Sequence, residues 1–295
     1  MTKMTKKNND MKKVIYSVLA LAAMVLSLVS CVNDDVLTES VQVTFTARIP
    51  DCTHSRSGMS FGTGEYVNKL YSAIYEKTSE NAFTFVHAGL TERDGDGFSY
   101  SPYLTKGKTY RIAFWAMTEG EYVISDNLKI ITIPEMTSNA PKKEAFAGVS
   151  KDVTVDESNG SPIDVELKRP FAMLNLATTM SDAQKAQKES MKAEVTLTCT
   201  SGMATSYNVF DNKVTYNPSI TTLTFSEAKI LGSECEKDNV TYIHLASCYV
   251  IPPADETVTV AIKVKNDSQI IGDLTETDIP LTVNYSTNLY GKMLP

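Results

Sequence analysis

Apolar and polar residues alternate with period two along most of the chain, and this pattern limits its fold more than any other feature. Val41, Val43, Phe45, Ala47 and Ile49 share one face of a first segment, while Gln42, Thr44, Thr46 and Arg48 share the other. Successive side chains of a strand point to opposite faces, so the segment reads as a strand with one side buried. Val258, Val260, Ile262 and Val264 repeat the pattern in its cleanest form. Further strands are expected at 70–75, 83–86, 98–100, 110–117, 153–156, 163–167, 171–177, 195–200, 207–210, 213–216, 221–225, 242–246 and 279–285. The dense run at 110–117 reads as a central strand. Residues 181–192 form the one helical segment, with Ser181 placed to cap it and Ala, Gln, Lys and Glu dominating.

Many short strands, frequent turn signals and no βαβ rhythm define an all-β chain of tandem antiparallel β-sandwiches. Its 295 residues suit one large or two ordinary domains. The stretch 134–162 is rich in Pro, Ser, Asn, Lys and acids, which places a boundary near residue 165. The expected domains are therefore an N-terminal sandwich at 41–165 and a C-terminal sandwich at 166–295.

Ahead of them lies an export signal. Lys3, Lys6, Lys7, Lys12 and Lys13 precede an uncharged run from Val14 to Ser30, a basic segment followed by an apolar one. The start falls at Met1, Met4 or Met11, since residues 11–31 already hold a complete signal. The run ends in Leu28-Val29-Ser30-Cys31, which resembles the bacterial lipobox. A small residue at Ser30 admits the signal peptidase, and the Cys31 thiol accepts a diacylglyceryl group. Cleavage is thus expected between Ser30 and Cys31, with residues 1–30 as lipoprotein signal peptide and 31–40 as tether. Acyl chains on Cys31 anchor the protein stably, because one chain alone holds only marginally. Val32-Asn33-Asp34-Asp35 fits an acidic surface-export tag and equally a solvated tether.

Charge and composition remove several classes of function. The net charge of −7 becomes −11 once the five lysines and one aspartate of the first 30 residues are removed. An acidic chain without clustered basic residues excludes nucleic acid as the expected partner. Only His54, His87 and His244 are available for acid–base or metal work. Cys52, Cys199, Cys235 and Cys248 form no CxxC pair, so no metal site is expected. A Cys235–Cys248 or Cys199–Cys248 disulfide is permitted outside the cytosol, and the alternation of Cys199 with Val195 and Leu197 favours a buried free thiol there. Asp94-Gly95-Asp96-Gly97 lacks the later ligands of a calcium loop and reads as a tight turn. No catalytic residue or cofactor is expected.

Several segments resemble one family. Lys168-Arg169-Pro170-Phe171-Ala172-Met173-Leu174-Asn175-Leu176 resembles the opening strand of the C-terminal domain of fimbrillin-like lipoproteins. The tail from Ile279 through Tyr285-Ser286-Thr287-Asn288-Leu289-Tyr290-Gly291 to Leu294 resembles their closing motif. Val43-Thr44-Phe45-Thr46 and Gly107-Lys108-Thr109-Tyr110-Arg111-Ile112-Ala113-Phe114-Trp115-Ala116 fit their first domain. In this reading Asn288 and Gly291 are turn formers capping the last strand. The resemblance implies two transthyretin-like sandwiches, a type V pilus subunit or related surface lipoprotein at the cell outer membrane, and no catalysis. It also implies a trypsin-like cut near the first strand, after which another subunit's strand fills the vacated groove.

Two arginines lie close enough to serve as that cleavage site. Arg48 falls inside the first strand, whereas Arg56 sits in the polar segment Asp51-Cys52-Thr53-His54-Ser55-Arg56-Ser57-Gly58 and is the better candidate. The expected partners are other pilus subunits, the outer membrane through the lipid anchor, and a host or bacterial surface ligand of unspecified nature. The closing motif ends at Pro295 without a further donor-length segment, which favours tip, accessory or non-polymerising roles. The alternative is a surface glycan-binding lipoprotein of a polysaccharide-uptake system. The single tryptophan, Trp115, lies in an apolar strand and weakens that alternative.

Overall fold

The computed structural model describes residues 39–50, 63–158, 160–253 and 257–295. The first half contributes β1 (Ser40–Gln42), β2 (Phe45–Arg48), β3 (Lys69–Ser79), β4 (Ala82–Glu92), β5 (Gly97–Tyr100), β6 (Tyr103–Thr105), β7 (Thr109–Met117), β8 (Val123–Ile124), β9 (Ile131–Thr132), β10 (Ala145–Val149), β11 (Val153–Thr154) and β12 (Ile163–Glu166). The second contributes β13 (Ala172–Thr178), helix α1 (Asp182–Gln187), β14 (Met191–Thr198), β15 (Met203–Asn208), β16 (Lys213–Asn217), β17 (Thr222–Lys229), β18 (Glu234–Lys237), β19 (Val240–Val250), β20 (Thr257–Asn266), β21 (Gln269–Pro280) and β22 (Ser286–Gly291). The all-β class read from the alternation is the class observed.

In the first half, β10, β7 and β3 of the sheet β10-β7-β3-β4 are covered on both faces, while β4 is largely exposed. Even-numbered residues of its strands, among them Leu70, Ile74, Ile112, Phe114 and Phe146, enter a core shared with Val43, Phe45 and Ala47. Odd-numbered residues such as Ala73, Tyr75, Ala113, Trp115 and Met117 enter a second core with side chains of β13, β14, β19 and β20. Burial on both sides explains why 110–117 is densely apolar instead of alternating. The smaller sheet β12-β2-β5 closes the other side of the first core.

In the second half, β18-β19-β13-β22 and β17-β14-β20-β21 contribute buried faces to one core. The halves also exchange a strand pairing, since Tyr207 of β15 stands opposite Ile131 of β9. Ala147 and Lys168 exchange backbone hydrogen bonds of 2.8 Å, so the segment read as a boundary is itself stitched to β10. Residues Val41–Pro295 form one unit.

Pairing direction, the helix and the closing strand depart from the sequence reading. Most strand pairs among the described residues are antiparallel, but β2–β12 and β13–β22 run parallel, as does the isolated bridge between Thr137 and Ser226. The helix expected over 181–192 has its Ser181 capping box with Gln184 but stops at Gln187; a 3₁₀ turn at Lys188–Ser190 follows, and β14 starts at Met191. Met191, Ala193, Val195 and Leu197 are all buried by a period of two, so packing overrides local helix preference from Met191 onward. The strand expected at 279–285 ends at Pro280, and Asn284 adopts a φ of 62° in the turn that follows. The residues read as its cap, Asn288 and Gly291, instead lie in β22. Cys199 is the buried free thiol its alternation with Val195 and Leu197 favoured; Cys235 and Cys248 are also buried and free, so neither permitted disulfide is formed.

Candidate functional site: the channel of the first strand

Strand β2 lies between two neighbours and can be lifted out of the sheet only by breaking both pairings. Phe45, Thr46, Ala47 and Arg48 stand opposite Ile163, Asp164, Val165 and Glu166 of parallel β12. The same residues stand opposite Tyr100, Ser99, Phe98 and Gly97 of antiparallel β5. The pairing continues upstream, where Val43 N–H donates to Pro102 O at 3.0 Å and Ile163 N–H donates to Thr44 O at 2.8 Å. The outward face is polar: Thr44 Oγ1 and Ser101 Oγ are 2.9 Å apart, and Thr46 donates to Asp164.

The inward face fills a row of pockets. Val43, Phe45 and Ala47 are buried, and Val41 and Ile49 pack partly buried at the two ends. The Phe45 ring lies 6.1 Å from that of Phe114 and tilts 48° against it. At Gly97 the backbone of β5 comes so close that a Cβ would stand 2.8 Å from Ala47 O, which leaves room only for glycine. The five-residue apolar face read from sequence is thus the face that enters the core.

The chain beyond β2 is fastened independently. Gly64, at a φ of 69°, donates its N–H to Glu144 Oε2 at 2.6 Å and accepts from Arg93 Nη1 at 2.6 Å. Glu144 is buried and also accepts from Arg169 Nε at 2.6 Å. Burial raises the Glu144 carboxyl above its usual range, opposed by the Arg169 charge and by both hydrogen bonds. The Arg169 guanidinium also stacks 4.9 Å from the Phe146 ring centroid. Ile49 Cγ2 lies 2.6 Å from where a Gly64 Cβ would stand, so the residues flanking segment 51–62 are adjacent.

The structure separates the residues singled out by sequence. Ser30, Cys31, Cys52, His54 and Arg56 lie outside the described residues. Arg48 is exposed at its side chain, but its backbone is paired on both sides. Asp94 and Gly97 close a tight turn by reciprocal backbone hydrogen bonds, and the strands flanking it join different sheets. Trp115 is fully buried, 5.4 Å from the Tyr122 ring. His244 Nε2 meets Ser247 Oγ at 2.9 Å, yet both are buried, and the next partner is Asn175, not a carboxylate. Among the described residues no group of three His, Cys, Asp or Glu is arranged to hold a metal, and no helix is long and apolar enough to cross a membrane.

The sequence reading missed the partnership of Glu144 with Gly64 and Arg169. A lone glutamate carries no signal of burial; only the adjacent run Ala145-Phe146-Ala147 hinted that a core strand begins there. It also missed that its two family-like segments meet. Asn175 of the first lies beside Asn288 of the second across the parallel β13–β22 pair, with Asn175 Nδ2 donating to Asn288 Oδ1 at 2.8 Å.

Fold and channel together describe an all-β protein of stacked sheets whose first strand is inserted between two others. The chain belongs to a family of unknown function (DUF6562), whose model matches residues 33–295. No curated protein matches it. A candidate cell adhesion protein from Bacteroides uniformis is similar in structure with a TM-score of 0.50 at 12% identity, covering 85% of this chain and 93% of that one. A fimbrial assembly protein from Parabacteroides distasonis has a TM-score of 0.47 at 10% identity, covering 86% and 92%. The fimbrial anchor protein of Porphyromonas gingivalis has a TM-score of 0.46 at 10% identity, covering 85% and 91%.

Proposed function

We propose that the protein is a non-catalytic, fimbrillin-like surface lipoprotein, a fimbrial subunit or accessory that works in adhesion and assembles by β-strand complementation. In this reading residues 1–30 are removed, Cys31 carries the lipids that hold the chain at the outer membrane, and 31–40 serve as tether. The sandwiches 41–165 and 166–295 form the exposed body. Cleavage after Arg56 then frees β2 for replacement by a strand from another subunit.

The observation that carries the reading is the placement of β2 between β12 and β5. Burying a large apolar side chain stabilises by about 1.5–3 kcal/mol, so Val43 and Phe45 alone represent a sizeable part of the roughly 5–15 kcal/mol net stability of a domain. A vacated channel therefore favours any strand of matching pattern, with main-chain bonds supplying affinity and alternate side chains supplying register. Because Gly64 is tied to Glu144 and Arg93, a cut at Arg56 leaves the body anchored from Gly64 onward.

The closing segment carries the matching pattern. Leu281, Val283, Tyr285, Thr287 and Leu289 reproduce the order aliphatic, valine, aromatic, small, aliphatic of Val41, Val43, Phe45, Ala47 and Ile49. Val283 and Tyr285 are 48% and 69% exposed, whereas Leu281 is buried and Thr287 and Leu289 pair with β13, so the segment is offered to the channel as a free peptide. Limited trypsin digestion of purified protein, read by mass spectrometry and size-exclusion chromatography, tests the proposal. The expected result is a cut after Arg56, followed by oligomers or by capture of a peptide spanning 281–289. Resistance at Arg56, or a cut monomer that binds no strand, rejects exchange through this channel.

A further inference from the structure

A cleft of about 430 Å³ opens beside the edge of the first-half sheet, its floor drawn from the same core that β2 fills. Its floor is apolar, made by Ile74, Leu104 and Tyr110, all buried. Its rim carries Val86, His87, Tyr103 and Thr105. Tyr103 is 72% exposed and Val86 52%. β4 stands at the end of its sheet, so one wall is a strand edge carrying Val86 and His87. The opposite wall is the turn from Tyr100 to Tyr103, held in place by the Val43–Pro102 and Thr44–Ser101 bonds.

The lining selects a ligand chemistry. No Asp, Glu, Lys or Arg lines the cleft, so nothing there compensates the desolvation of an ionic ligand. What the walls offer is a freely presented aromatic face together with hydroxyl and imidazole groups. Tyrosine combines an apolar body with a polar tip. Sites that orient small molecules place a few polar groups on a mostly apolar lining. A sugar ring has that same division, with apolar C–H faces and a hydroxyl rim.

We propose that this cleft is a binding site for neutral carbohydrate. The sugar ring stacks on Tyr103, while His87 and Thr105 receive its hydroxyls. This site lies outside the groove that β2 fills but shares its core and is braced by it, and it gives the adhesive reading a ligand class.

The test is isothermal titration of uncut, full-length protein in detergent with maltoheptaose, mannotriose and N-acetyllactosamine, and with polygalacturonate as the anionic counterpart. At least one neutral sugar should bind. Tyr103→Ala, a change at an exposed side chain, should weaken that binding at least tenfold with an unchanged melting temperature, and His87→Ala should weaken it several-fold. Polygalacturonate should bind no better than the neutral sugars. Failure of all three neutral sugars at millimolar concentration overturns the proposal, as does undiminished binding by Tyr103→Ala or preference for the anionic polymer. Because uncut protein is used, neither result depends on whether cleavage after Arg56 permits strand exchange.

Discussion

His244 is an imidazole sealed in the second-half core beside Ser247, and burial pushes its pKa down to about 4 against an opposing hydrogen bond to the Ala246 backbone. Unfolded, the same ring titrates near 6.5. Between those values the unfolded chain binds the extra proton, so stability is intact above pH 6.5 and declines as the pH falls toward 4. At about 1.4 kcal/mol per pKa unit, the full effect is on the order of 3 kcal/mol. Thermal melts from pH 7 to pH 4 should show a steeper loss for the wild type than for His244→Gln. Parallel curves would show that the ring is not buried neutral. Sequence placed His244 in a strand but not in a polar chain, because Ser247, Asn175 and Asn288 come from three separate strands.

The parallel pair β13–β22 shows how side chains hold an element that main-chain bonds alone would leave at a sheet edge. Every residue of β22 is half-buried, so its apolar anchoring is modest and the Asn175–Asn288 bond matters more. Asn288→Ala strands the Asn175 amide in the core and should cost about 1–3 kcal/mol, the penalty for a buried polar group left unmade. Urea denaturation measures this; an unchanged midpoint would assign the hold on β22 to Leu289 and Tyr290. The period-two pattern made the core strands legible, including β14 and β20 with their regular inward residues. It failed where a different force decided. Turn chemistry around Pro280 and Asn284 ended the expected closing strand at Pro280 and left 281–285 outside any strand, and core packing shortened the helix. Partner choice was not legible at all, since periodicity states which face is buried but not which strand lies alongside. For the channel, sequence supplied the inward face of β2; the parallel neighbour β12 and the Gly64 clamp needed the structure.

At the scale of the whole molecule, the two halves share a core. Trp115 and Tyr75 of the first half lie 5.9 Å from Tyr207 and 4.0 Å from Phe210 of the second. Elements that bury one another's side chains unfold together, so calorimetry on the protein should show one transition with equal calorimetric and van't Hoff enthalpies. Two resolved transitions would mean that the shared core contributes little coupling. The parallel pairs also govern how the fold is reached. Thr46 meets Asp164 across 118 positions of chain, and Asn175 meets Asn288 across 113. Closing loops of that length spends chain entropy before any contact rewards it, and such topologies fold slowly, on the millisecond-to-second scale. The nascent chain therefore remains loosely collapsed long after its local hairpins have formed, with both ends of each parallel pair still searching for one another.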